Sequence, residues 1–131
     1  HNFINTMLRL GKKNGKVGVV ADQIGSPTYT KDLAVLLVDM AETDKYGIYH
    51  ASNEGYCSWY EFTKEIFRQA GMQVEVQPLT SEEYPAKAKR PHNSRLDKSK
   101  LTEAGFHLLP SWQDALQRYL SNKLKDGKVF E

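Results

Sequence analysis

The run Thr30-Lys31-Asp32-Leu33-Ala34-Val35-Leu36-Leu37-Val38-Asp39-Met40-Ala41 constrains the fold of this chain more than any other segment. Thr28 or Thr30 is placed to cap a helix here, and Asp32 falls in its first turn, where the helix dipole favours an anion. Leu33, Val35, Leu36, Leu37, Val38 and Met40 then put apolar groups on almost every face. Such a helix needs cover on more than one side, which places it between a sheet and a further layer. Gly47-Ile48-Tyr49-His50-Ala51-Ser52-Asn53 follows as a short strand bounded by turn residues, and helix, connection and strand in that order point to an α/β layout.

The flanking segments agree. From Asn2 to Leu10, Phe3, Ile4, Met7, Leu8 and Leu10 form a helical stripe that Asn2 can cap and Gly11 would end. Lys12 to Lys16 is a solvated turn, Val17 to Ala21 is a β-type run, and Asp22 to Pro27 is a polar loop. Ser58-Trp59-Tyr60-Glu61 has the form of a capping box, after which Trp59, Phe62, Ile66 and Phe67 make a buried stripe as far as Gly71. Val74 to Pro78 alternates like an edge strand closed by its proline. Thr80 to Asn93, broken by Pro85 and Pro91, is loop. A short helix from Asp97 to Ala104 stops at Gly105, and a last one starts at Ser111 and buries Trp112, Ala115, Leu116, Tyr119 and Leu120.

Composition narrows the function classes. The 131 residues carry 18 Lys+Arg against 16 Asp+Glu, a net charge of +2 that gives no argument for nucleic acid by itself. No apolar run is long enough to span a membrane and no signal-peptide layout opens the chain. A single cysteine, Cys57, makes no intramolecular disulfide, which fits a cytoplasmic protein. The four histidines do not fall at metal-ligand spacing, so no metal ligands are assigned. The chain opens on His1 rather than Met, and it is expected to be a piece of a longer one.

Two segments carry candidate chemistry. Lys87 to Lys100 concentrates six cations against one carboxylate, which suits an anionic partner. Lys87, Lys98 and Lys100 read as solvated lysines. Arg90 is different, because Pro91 disfavours helix at the residue before it and so presents the guanidinium from an extended segment suited to bidentate phosphate contact. The loop with Gln23, Ser26 and Thr28 lies between a strand and a buried helix, where ligand crevices of open α/β sheets form. Tyr29 is open between packing and presenting its hydroxyl. A small nucleic-acid-binding module is disfavoured, since the aromatics are not interleaved with the cations.

Asn2-Phe3, Asp22 to Ala34, Gly47 to Asn53, Ser58 to Phe62 and Lys89 to Asp97 together, in this order, resemble the dTDP-4-dehydrorhamnose reductases, which are extended short-chain dehydrogenase/reductases. The resemblance runs from Asn2 to about Leu120. It implies the C-terminal, substrate-binding part of an NADPH-dependent enzyme that reduces dTDP-4-dehydro-L-rhamnose to dTDP-L-rhamnose. The family's Gly-rich NADPH loop and Tyr-x-x-x-Lys pair would lie upstream of His1, so no catalytic residue is assigned here. Tyr60-Glu61-Phe62-Thr63-Lys64 matches that spacing by chance.

The resemblance further implies that residues 1–131 form one domain or fragment, whose residues 28–53 pack on the dinucleotide-binding domain. The helix Asp32 to Met40 and the strand Ile48 to Ala51 would complete its Rossmann sheet. It assigns Arg90 to the dTDP pyrophosphate, and Asn2, Gln23, Gly25 and Ser26 to the sugar-nucleotide cleft. A magnesium ion, where the family uses one, would draw on residues outside this chain. A homo-oligomer is expected. The rival reading is a non-catalytic relative serving as a regulatory subunit.

Overall fold

Two parallel strands, β1 (Lys16–Val20) and β4 (Glu75–Leu79), form the larger ladder, with Val17 opposite Val76 and Val19 opposite Pro78. The computed structural model describes residues 2–84 and 88–125, so His1, Pro85 and Lys87 lie outside the described residues. Strand β4 runs one residue past Pro78. The Glu75 amide donates to the Gly15 carbonyl and the Leu79 carbonyl accepts from Ala21, so residues 75, 77 and 79 face β1 and the proline nitrogen faces away from the ladder. Val17 and Val19 are buried against Phe67, with Met7 and Leu10 beside them.

Helix α1 (Phe3–Asn14) begins at Asn2, whose side-chain oxygen accepts from the Asn5 amide at 2.9 Å. It does not end at Gly11 as its sequence suggests. It absorbs the Lys12-Lys13 segment and stops at Gly15, which takes the left-handed conformation (φ 68°). Gly11 serves packing: a Cβ there would lie 2.6 Å from Phe67 Cε1.

Helix α3 (Trp59–Ala70) has the expected capping box, the Ser58 hydroxyl accepting from the Glu61 amide and the Glu61 carboxylate from the Ser58 amide, each at 3.0 Å. Phe62 and Ile66 of α3 and Leu116 and Leu120 of α5 (Trp112–Lys125) join Leu8 in the main core. Ser58 also belongs to β3 (Cys57–Ser58), which pairs antiparallel with β2 (Ile24–Gly25) inside the segment expected to be loop. A second cluster joins Leu36 of α2 (Thr30–Ala41) to Leu101 of α4 (Ser99–Glu103), Phe106 and Leu109.

Three expectations are corrected, and the further cover expected over α2 is not supplied by the described residues. Residues 47–53 form no strand; they run beside the α2–α4 cluster without a ladder partner, and only Glu54 makes an isolated bridge, with Ser111. Of the apolar side chains of α2 only Leu36 is buried, while Val35, Leu37 and Val38 are exposed, so the described residues supply cover on one side. Neither Thr28 nor Thr30 caps α2: Tyr29 holds the cap position without a side-chain bond, and the Asn53 side chain accepts from its amide at 2.7 Å. Lys98, expected in water, is 8% exposed, with its ammonium 2.8 Å from Glu54 and donating to the Asn53 carbonyl. Among the described residues no helix is long and apolar enough to cross a membrane.

Candidate sugar-nucleotide cleft

A cleft of about 210 Å³ opens where the β2–β3 ribbon meets the start of α3, walled by Gln23, Gly25, Ser26, Trp59, Arg90 and Ser94. Four of the five residues singled out in the sequence, Arg90, Gln23, Gly25 and Ser26, therefore share one wall system. Asn2 lines a neighbouring hollow of about 330 Å³ between α1 and α5. Pro27, Trp59 and Phe62 line both, so the two spaces adjoin at Trp59.

Backbone pairing places Arg90. The Ile24 amide donates to the His92 carbonyl at 2.8 Å and the Ser94 amide to the Ile24 carbonyl at 2.7 Å, pinning the chain just beyond Pro91 alongside β2. The guanidinium is exposed and makes no hydrogen bond or ion pair among the described residues, so an incoming anion has no internal carboxylate to displace.

The other candidates are partly engaged. The Ser26 hydroxyl donates to the Gly55 carbonyl at 2.5 Å, which fixes the loop rather than leaving the hydroxyl free. Gly25 passes close to Ser94, whose Cβ would stand 3.5 Å from a Cβ at Gly25. Asn2, besides capping α1, donates to the Tyr119 hydroxyl at 2.8 Å. Gln23 donates from Nε2 to the Ser81 hydroxyl at 3.2 Å. Ser81 in turn gives its hydroxyl and its amide to Asp22, at 2.6 and 3.0 Å, and these bonds hold the Asp22 carboxyl below the usual carboxylate range.

Several lining residues, among them Trp59, Cys57, Ser58 and Ser94, were not singled out in the sequence as site residues. Trp59 was expected in the buried stripe, yet at the first position of α3 it is 41% exposed, its ring 4.8 Å from that of Phe3, and it forms the aromatic wall between the two spaces. The helical spacing that gave the stripe does not say which neighbours cover its first turn. Cys57 also lines the cleft, and burial, aided by Glu61, pushes its thiol up to about 12, so it stays protonated and packs as a small apolar group. Tyr60 and Lys64 line neither space; the Lys64 ammonium rests 5.2 Å over the Tyr60 ring on the surface of α3.

Among the described residues no three His, Cys, Asp or Glu side chains converge, so no magnesium ligands are assigned to this chain. Among the described residues no Gly-rich turn joins a strand to a helix either: β1 leads through Ala21-Asp22-Gln23 into β2, so this segment does not fit a dinucleotide pyrophosphate.

Residues 1–125 match the family described as the RmlD substrate-binding domain. The chain belongs to that family. It is 48% identical over 130 residues to the dTDP-4-dehydrorhamnose reductase of Aggregatibacter actinomycetemcomitans, covering 89% of this chain and 44% of that protein. The crystal structure of the dTDP-4-dehydrorhamnose reductase of Bacillus anthracis in complex with NADP matches with a TM-score of 0.90 and 48% identity, covering 93% of this chain and 43% of that one. The orthologue from Clostridium acetobutylicum matches with a TM-score of 0.92 and 40% identity, over 95% and 44% of the two chains. This RmlD-type domain thus spans less than half the length of the relatives it matches, and its α/β architecture is that of the C-terminal part of an extended short-chain dehydrogenase/reductase.

Proposed function

We propose that this chain is the sugar-nucleotide-binding portion of an NADPH-dependent reductase that converts dTDP-4-dehydro-L-rhamnose to dTDP-L-rhamnose in the cytoplasm. The observation that carries the reading is the exposed Arg90, pinned beside β2 in a cleft that Trp59 also lines, in a chain of the RmlD substrate-binding family. Arg90 neutralises the pyrophosphate with two parallel hydrogen bonds, while Gln23, Gly25 and Ser26 shape the same cleft and Asn2 the adjoining hollow. Bound NADPH would supply the hydride that reduces the 4-keto group. Its site, and the group that donates the proton, are assigned to the dinucleotide-binding domain, onto which residues 28–53 pack through the exposed face of α2.

Calorimetric titration of the full-length protein with dTDP-glucose tests this reading. Arg90→Ala should weaken binding by about 1.5–3 kcal/mol, roughly ten- to a hundredfold, and Arg90→Lys should restore only part. A folded R90A protein with unchanged affinity and unchanged reductase rate would overturn it.

A further inference from the structure

Asp22, Ser81 and Gln23 form a relay whose polarity is fixed by chemistry. A carboxylate only accepts, so the Ser81 hydroxyl, 2.6 Å from Asp22 Oδ1, spends its single proton there. The hydroxyl oxygen can then only accept from Gln23, which turns the Nε2 end of the carboxamide toward Ser81 at 3.2 Å. That leaves Oε1 as the one polar side-chain atom of Gln23 with no partner among the described residues, on a half-buried side chain that lines the cleft.

Resting on the reading of the cleft as a sugar-nucleotide site, we infer that Gln23 meets the ligand as a hydrogen-bond acceptor, oriented by Asp22 through Ser81. At this point the cleft therefore selects a donor, either a hydroxyl or an imide N–H, and rejects a phosphate oxygen. Arg90, a pure donor, meets the anionic part. The two side chains thus give one cleft both a hydrogen-bond acceptor and an anion-binding donor, and a sugar nucleotide that meets both is held in one direction. Asp22 is a positioning residue here: it touches Ser81 and acts on the ligand only through Gln23.

Titration of the full-length protein with dTDP-glucose, dTDP and N3-methyl-dTDP tests the inference. Gln23→Leu removes the acceptor and should weaken binding about tenfold. Asp22→Asn lets the relay reverse and should weaken binding several-fold, but should add nothing in the Q23L background, because it acts through the same atom. A loss confined to dTDP-glucose identifies a hexose hydroxyl as the donor, one shared by all three probes the deoxyribose 3′-hydroxyl, and one seen with dTDP-glucose and dTDP but not with N3-methyl-dTDP the imide. If Q23L fails to fold, Ser81→Ala, which frees the carboxamide to turn, carries the test with an expected loss of several-fold. Wild-type binding with unchanged affinity in the variants, or losses from D22N and Q23L that simply add, would overturn the relay and leave the sugar-nucleotide reading standing. A wild-type protein that binds none of the three probes would overturn both.

Discussion

Arg118 grips Asp32 with both terminal guanidinium nitrogens, each 2.7 Å from a different carboxylate oxygen, and so ties α5 to the first turn of α2 across 86 residues of sequence. Its Nε also donates to Asp114, one turn earlier on α5, and Asn53 donates to the same Asp32 carboxylate at 2.8 Å. The Asp32 side chain is only 9% exposed, so its charge depends on these partners.

Arg118→Ala should destabilise the fold by about 2 kcal/mol, since it leaves a mostly buried carboxylate with Asn53 as its remaining side-chain donor. Arg118→Lys should recover less than half, because an ammonium cannot reproduce the paired contact. Urea unfolding followed by circular dichroism measures both.

The same contact sets a pH dependence. The Arg118 hydrogen bonds hold the Asp32 carboxyl below its ordinary value of 3.8, so the folded state binds a proton more weakly there than the unfolded chain does. The stabilisation is complete above 3.8 and is lost as pH falls from that value through the lower folded pKa. Asp32→Asn should therefore lower stability at neutral pH and flatten its fall at and below pH 3.8. Equal slopes for the two proteins in chemical unfolding at matched acid pH values would contradict this assignment.

Local patterns were legible in the sequence and distant pairings were not. The capping box at Ser58 and Glu61, the stripe of α3 and the start of α5 at Ser111 all depend on residues three or four apart, which the chain spells out directly. The non-helical backbone at Arg90 was legible because Pro91 is its neighbour. The Arg118–Asp32 pair and the Asp22–Ser81 bonds span 86 and 59 positions, and nothing in either segment names its partner. Gly11 was misread because a helix stop and a close helix contact both call for glycine, and only the position of Phe67 distinguishes them. Residues 47–53 have strand composition, but a strand exists only where another offers its edge.

Gly11→Ala tests the second use of glycine. Helix propensity alone favours alanine by about 1 kcal/mol. The new Cβ would fall 2.6 and 2.8 Å from two ring atoms of Phe67 and 3.0 Å from Val74, in a buried cluster, and overpacking of that kind costs about 1–3 kcal/mol. The expected net result is a destabilisation of roughly 1 kcal/mol. A stabilised variant would show that α1 can slide away from α3.

Ser58→Ala removes half of the capping box and should cost about 1 kcal/mol of stability. Because Ser58 and Trp59 both line the cleft, the same change should weaken dTDP-glucose binding by more than thermal destabilisation accounts for. Titration at a temperature well below the unfolding transition separates the two effects.

The last expectation concerns α2. Val35, Leu37 and Val38 are 64%, 55% and 59% exposed within one turn of α2, and Ile48, in the segment that follows, is 80% exposed. Isolated exposed apolar residues are ordinary, but several gathered on one helix and its adjoining segment mark a surface that gains by being covered. The 131-residue chain, prepared without any further sequence, should therefore self-associate through this helix. Sedimentation equilibrium should give an average mass that rises with concentration, and Leu37→Glu combined with Val38→Lys should return it to that of a monomer. Both positions are exposed and point away from Leu36, the buried residue of the helix, so the double variant should keep its unfolding midpoint. A wild-type chain that stays monomeric at every concentration would mean that the apolar groups of α2 are too dispersed to act as one surface, and the packing proposed for residues 28–53 would lose its main support.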